Sequence, residues 1–543
     1  MSDSVHIPMT VLRVPGRVLV GCAFAFLALP NILFFLGWLQ PWVAVPLSIG
    51  LLVSGVRAFY WNCGSLDFSV KDLYKLLGVF LFVLLYQFEV GYTAHTYQHW
   101  DFHTRNAFYG NLIDYAWPIV LPDGREMTYC LAGWLPLAFL CKILVCLGVD
   151  CHDLTRVPGY LLLCWNTGIM LLVVMLGWLV LQRVSVVFVL IIFGLGGAES
   201  IFTRLPLLKQ VWEWCSTSVP TYYFGSEQMI CTINILPISY LAVLLLLLKS
   251  VPWWSYFLTG ALLLLIAPMN ALALFPMMIF AVVRSCVVPG GFAWRERLRE
   301  AWGILLALAI VCVSVMYYAR ADDGGMPTML AMQRISSLQD YVKLSIPLIF
   351  TILLLGYIPW RYLREGRGWF WLACVLAVLL PCLYVGNLNN EFLMKASPMV
   401  MCLFAVLWSR GMLDAPQRAR RDIFVWVCVG FCAVRLGGFF WMHHQKIWPH
   451  RFDWMYNECN PYQGHLFHPG MALDQSIPAT HEPFVHGVFY ARAGESEGFF
   501  FRMIPTPTSR KYEELRYKQS RNYRLDVPYG SVTEDSQQGS SAE

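Results

Sequence analysis

Between Thr93 and Thr128 the chain reads TAHTYQHWDFHTRNAFYGNLIDYAWPIVLPDGREMT, a polar and aromatic stretch set between two apolar runs. Asp101 is its strongest chemical candidate. A carboxylate in a cavity of low dielectric can take the proton of an acceptor hydroxyl, or hold a divalent cation against phosphate oxygens. It can equally cap the helix that the following residues predict. His95, His99 and His103 recur every fourth residue, so a helix through them would line three rings on one face at a spacing that suits a metal. Interfacial histidines bonded to water give the same pattern. Arg105 and Asn106 have the donors to hold a phosphate or a sugar hydroxyl.

Further along, Glu199 closes the run Gly194-Leu195-Gly196-Gly197-Ala198-Glu199. Glycines there break a helix or let backbone approach closely, and a carboxylate at membrane depth is a functional candidate by default. A pair with Arg204 is the plainer alternative. Glu213 lies between Trp212 and Trp214, aromatics that suit a sugar face or an interfacial belt. Asn390, Glu391 and Lys395 open an apolar helix, where a lysine beside the N-terminus can neutralise a phosphate or pair with Glu391. Arg435, inside the last apolar run, needs an anionic partner. Arg334, with Arg320 and Lys343, could grip the same phosphates.

The elements that must position these residues are membrane helices. Of 543 residues 58% are hydrophobic and only 13% charged, against about 25% charged in soluble domains. Apolar segments fall near 18–39, 41–59, 73–92, 129–148, 159–181, 184–203, 230–248, 254–268, 270–285, 302–319, 345–360, 369–385, 394–409 and 422–441. The expectation is an all-α polytopic membrane protein with about thirteen transmembrane helices plus one re-entrant or interfacial helix. The segment at 129–148, which carries Pro136 and Lys142, is the first choice for the one that does not cross, and 184–203 the second. No cleavable signal is expected, because 18–39 lacks a small-residue cleavage site and reads as a start-transfer helix.

Basic clusters at Arg295, Arg297 and Arg299, at Arg361, Arg364 and Arg367, and at Arg418, Arg420 and Arg421 alternate with loops poorer in positive charge. The positive-inside rule makes them cytoplasmic. The N-terminus is then cytoplasmic, while the loop 93–128 and the tail face outward. The net charge of +5 is sorted by side, which argues for topology and against nucleic acid as a partner. Three regions are expected: an N-terminal transmembrane hairpin over 1–60, a core over 61–441, and a small extracytoplasmic region over 442–543. That last region holds seven of the twelve histidines and ends in about twenty residues of low-apolar, disordered character. Most of the seventeen cysteines lie in apolar runs and read as buried small hydrophobes rather than a disulfide framework.

Taken in order, the motifs resemble bacterial multi-pass membrane proteins of the glycosyltransferase C (GT-C) type. Asp101, Arg105, Asn106, Ala107, Trp117, Pro118, Tyr129, Gly133, Pro136 and Lys142 follow the sequence of a first-outer-loop pattern. Gly194-Leu195, Glu213-Trp214, Asn234 and Pro237 resemble a second, and Asn390-Glu391, Met394-Lys395, Ser397 and Pro398 a third, over roughly residues 73–410. The chain departs from that pattern at three places: Arg105 stands for the usual His, Glu199 for an intramembrane Asp, and Lys395 for a late Arg. The resemblance implies a GT-C-like core in the bacterial inner membrane that moves a sugar from a polyprenyl-phosphate donor to an extracytoplasmic glycan, lipid or protein acceptor. It implies Asp101 as base or metal holder, which leaves a divalent cation open as cofactor, and basic residues on later helices as binders of the lipid phosphate. A transporter or flippase of a lipid-linked saccharide, and a polysaccharide polymerase or ligase, remain alternative readings.

Overall fold

A computed structural model describes residues 11–93, 101–119, 126–127, 130–151, 156–196, 206–215, 225–226, 229, 235–248, 251–286, 302–319, 328–330, 333, 337–385, 390–447 and 490–491. It is all-α, 83% helical, with 17 α-helices among the described residues. They are α1 (Gly16–Trp38), α2 (Pro41–Ala58), α3 (Val70–Glu89), α4 (Asp101–Asp114), α5 (Leu135–Cys146), α6 (Val157–Leu181), α7 (Val186–Gly194), α8 (Pro206–Cys215) and α9 (Ile235–Leu247). There follow α10 (Trp253–Leu264), α11 (Pro268–Cys286), α12 (Trp302–Tyr318), α13 (Leu338–Tyr362), α14 (Arg367–Leu379), α15 (Glu391–Asp414), α16 (Pro416–Arg421) and α17 (Ile423–Ile447). Each apolar segment read from the sequence contains one of these helices. Seven are long and apolar enough to cross a membrane: α1, α2, α6, α11, α13, α15 and α17.

Local chemistry explains where several begin. Ser69 and Asp72 form a reciprocal capping box on α3, and Ser337 and Asp340 do the same on α13, each satisfying orphan amides of a first turn. Proline stands in the first turn of α2, α5, α6 and α16, where its missing N–H costs nothing. The most enclosed long helix is α15, with 89% of its apolar window buried, and it packs on α6, α7, α9, α11, α13 and α14. The hairpin of α1 and α2 is tied into the rest through Asn31, whose buried amide donates to Leu262 O of α10 at 2.9 Å.

Three short antiparallel ladders sort the ends of the bundle. β1 (Leu12–Pro15) pairs with β2 (Ser65–Phe68), placing the entry to α1 beside the α2–α3 connection. Arg13 bonds Asp67 across this ladder at 2.7 Å, and that hydrogen bond holds the exposed carboxyl below the usual carboxylate range. Cys63, Gln182 at the close of α6, and Glu365 in the α13–α14 turn line one cavity here, so the basic turn of Arg361, Arg364 and Arg367 shares this end. At the opposite, loop end, β3 (Glu126–Met127) pairs with β6 (Tyr490–Ala491), and β4 (Thr328–Leu330) with β5 (Leu383–Val385). The first of these ties the loop 93–128 to the C-terminal region.

At the basic end Asp422 joins α13 to α17, accepting the hydroxyls of Tyr362 and, at 2.7 Å, Tyr357. Those bonds, Tyr362 first, hold its carboxyl below the usual carboxylate range. A carboxylate depressed in the folded state adds stability above its unfolded pKa of about 3.9, and loses it as pH falls through the lower folded value. Asp422→Asn is expected to lower the thermal midpoint of detergent-solubilised protein near neutrality, with the gap to wild type closing below about pH 4. A gap that stays constant across the titration would remove the carboxylate charge from the joint.

Candidate functional site

The loop end is organised around α4, which begins at Asp101. Its inward face carries Arg105, Asn106, Phe108, Tyr109, Leu112 and Ile113, all buried. Tyr109 meets Trp134 just before α5 at 5.5 Å between rings, Cys141 Sγ within α5 at 3.5 Å, and Pro158 O at the start of α6 at 3.4 Å. Helix α5 therefore lies along α4 at the loop end. Lys142 fixes the pair, because its ammonium donates to Ile113 O at 2.9 Å and to Tyr115 O, and stands 5.5 Å from the Trp117 ring. Trp117 in turn donates to Leu112 O at 2.9 Å and packs on Trp38 at the end of α1.

Lys142→Met keeps the length of the side chain and removes the donor to the last carbonyls of α4. Leaving such acceptors unmatched costs about 1–3 kcal/mol, so a lower thermal midpoint is expected for the variant in detergent. An unchanged midpoint would mean that water takes the place of the ammonium.

A second cluster forms where α3, α7 and α17 meet. Tyr86 stacks on Phe439 with centroids 4.5 Å apart and meets Phe193 edge-on at 4.7 Å. One turn before Phe439 on the same face of α17 is Arg435, only 9% exposed and within electrostatic reach of the Tyr86 phenol. Glycines at and just past the end of α7 make this possible. A Cβ on Gly194 would run into the Cys432 carbonyl, and one on Gly196 would occupy the space of the Arg435 guanidinium. The glycine break and the intramembrane arginine, more than 200 positions apart in sequence, are thus one feature. Nearby, Ser226 donates to Ile192 O and contacts the Tyr240 hydroxyl at 3.3 Å, and Gln87 donates to Met229 Sδ at 3.4 Å.

The remaining candidates fall around these two clusters. Asn390 caps α15, accepting from Leu393 N at 3.1 Å while donating to Leu383 O at 2.9 Å, so its amide ties the helix start to β5. Glu391 begins the same helix, and Lys395 is half-buried one turn further on. Because α15 and α17 both pack on α7, that short helix joins the Lys395 and Arg435 elements. Glu213 lies apart, 62% exposed on α8 and 3.6 Å from Lys209, while its neighbour Trp214 receives the Lys343 ammonium at 5.4 Å. Glu199, Arg334, His95 and His99 lie outside the described residues, as do the side chains of Asp101, His103 and Glu391. Among the described residues no three His, Cys, Asp or Glu side chains group as a metal would require.

Two polar residues of α3 escaped the sequence reading. Gln87 is fully buried, and Glu89, three positions past Tyr86, has a carboxyl oxygen shut from solvent. The signal was present: a carboxylate inside the apolar run 73–92 is costly in lipid and marks a functional or structural site. It was masked by the stronger polarity of the loop that follows.

These elements define a multi-pass helical membrane protein with two buried polar clusters toward one end of the bundle. Comparison of the chain with protein-family models, with curated proteins and with solved structures finds no match.

Proposed function

We propose that the protein is a membrane glycosyltransferase that moves a sugar from a polyprenyl-phosphate donor to an extracytoplasmic acceptor. The observation that carries this reading is the buried guanidinium of Arg435, received by the glycine break of α7 and joined through that helix to the Lys395 element. A cation held at that depth, about 18 Å along α17 at the ordinary helical rise, suits the phosphate of a lipid whose chain stays in the bilayer. In this reading Asp101 takes the proton of the acceptor hydroxyl. The oxygen then bonds the sugar carbon, the bond from that carbon to the phosphate oxygen breaks, and Arg435, Lys395 and Arg105 hold the departing polyprenyl phosphate. Direct displacement inverts the sugar carbon. Glu213, on the surface beside Lys209, takes no part in the step.

The same reading gives the topology. The basic end faces the cytoplasm by the positive-inside rule, and thirteen helices cross: α1, α2, α3, α6, α7, α9, α10, α11, α12, α13, α14, α15 and α17. The contacts of Tyr109 with Trp134, Cys141 and Pro158 favour α5 as the segment that does not. The N-terminus is then inside and the C-terminal region outside, in a bacterial inner membrane.

Arg435 also favours a second reading, a flippase for a lipid-linked saccharide, since a buried cation between membrane helices suits a translocation path. Purified protein in liposomes carrying polyprenyl-phosphate sugars separates the two. Transfer predicts release of polyprenyl phosphate with glycosylated acceptor. Movement of intact donor between leaflets without release would replace the transferase by the flippase.

A further inference from the structure

Helix α5 does not lead straight into α6. It closes at Cys146 on a turn in which Gly148 N bonds Val145 O and Val149 N bonds Leu144 O, both at 3.0 Å, the pair of bonds that a left-handed capping residue allows. That residue is Gly148, at φ 85°. An added Cβ there would meet no atom within 4 Å, so the backbone angle alone calls for glycine. The reversal carries Cys151 back along α5. Its thiol hydrogen-bonds that of Cys141, ten positions earlier in the chain, and both side chains are shut from solvent. The two also share a neighbour, since the Tyr109 hydroxyl of α4 contacts Cys141 Sγ at 3.5 Å and lies within electrostatic reach of Cys151.

Contact between two sulfurs is the condition that a disulfide sets and that spacing along a chain cannot guarantee. The structure holds both as thiols. They share the end of the bundle with α4, which the topology proposed above places outside the cytoplasm, and disulfides form and persist on that side. We infer that Cys141 and Cys151 are joined by a disulfide in the protein as cells make it, which closes the α5 turn beneath Tyr109. The step is an exchange with a disulfide donor of the extracytoplasmic space. One cysteine thiolate attacks a donor sulfur to form a mixed disulfide, the other attacks the protein sulfur of that bond, and the donor departs as a dithiol carrying the two electrons and two protons that the pair gives up. Burial is no obstacle to it. Closing a loop of about ten residues takes only about 10–100 ns, so the two thiols can meet before α4 packs over them. The inference rests on the outward placement of this end and is independent of the transfer chemistry.

The test takes the full-length protein from cells directly into denaturant with N-ethylmaleimide, then reduces it and adds iodoacetamide, so that each cysteine reports by its adduct whether it was free. Cys141 and Cys151 are expected to carry the iodoacetamide adduct, and the exposed Cys146 between them the maleimide. Trypsin cuts after Lys142, so the peptides ending at Lys142 and Arg156 should travel as one mass until they are reduced. In Cys141→Ala the maleimide should appear on Cys151, a readout that does not depend on the variant folding. Maleimide on both cysteines of the wild type, or protection of Cys151 that survives Cys141→Ala, would overturn the proposal. A membrane-impermeant maleimide applied to spheroplasts then tells which premise failed. If it reaches Cys146 the outward placement stands and the contact between the thiols falls; if it does not, the placement falls.

Discussion

Asp101→Asn is expected to lower sugar transfer by about 10²–10⁴-fold, the usual contribution of a positioned general base. The substitution is chosen for what it preserves. Asp101 begins α4, and asparagine serves a helix N-terminus about as well as aspartate. The start of α4 should therefore survive, together with the burial of Arg105 and Asn106 that depends on it. What the substitution removes is the negative charge and the capacity to take a proton. A single-turnover assay with a polyprenyl-phosphate sugar isolates the chemical step, and the thermal midpoint reports whether the fold is intact. Wild-type turnover by Asp101→Asn would strip Asp101 of its catalytic role and leave it as a helix start. A fall in turnover together with a fall in midpoint would point to structure rather than chemistry.

Gly194→Ala is expected to destabilise the bundle by about 1–3 kcal/mol, the usual cost of overpacking. The added methyl group would meet the carbonyl of Cys432, a backbone atom that no rotamer change can move. Helices α7 and α17 must separate, and Arg435, one turn past Cys432, must leave its place over Gly196. Transfer activity should fall with stability. Gly430→Ala, in the same α17, is the control, because a Cβ there meets nothing within 4 Å. Alanine is favoured over glycine inside a helix by about 1 kcal/mol, so that variant should match or exceed wild type. Equal thermal midpoints for the two alanine variants would show that α7 and α17 have room to adjust.

The contrast between these glycines shows where the sequence stops being informative. Gly194 and Gly430 look alike in a string, each inside an apolar run. Only packing separates them, since one faces another backbone and the other faces open space. Asn390 makes the same point for a polar residue. Its place before an apolar helix predicts a cap or a ligand equally well, and the cap is decided by Leu383, which the α14–α15 connection brings within reach of the amide. Lys142 was legible as an awkward charge in an apolar run and as the last residue of the first-outer-loop pattern, but not by its partners. Its partners, the carbonyls of Ile113 and Tyr115, lie at the end of a helix that nothing in the local sequence ties to it.

By itself the sequence determined that the chain is a multi-pass helical membrane protein, and it located every one of the apolar segments that became helices. It could do so because lipid offers the backbone no hydrogen-bond partners, so an apolar run must satisfy its own amides as a helix. It also marked Arg435 and the glycine run as exceptional, because charge and chain-breaking residues are costly at that depth. Only the tertiary structure decided that the two are one feature, that α5 lies along α4, and that Glu213 is exposed beside Lys209. Those outcomes depend on close approach between segments far apart in the chain, and close approach is fixed by side-chain shape in a packed interior, which composition and spacing do not encode.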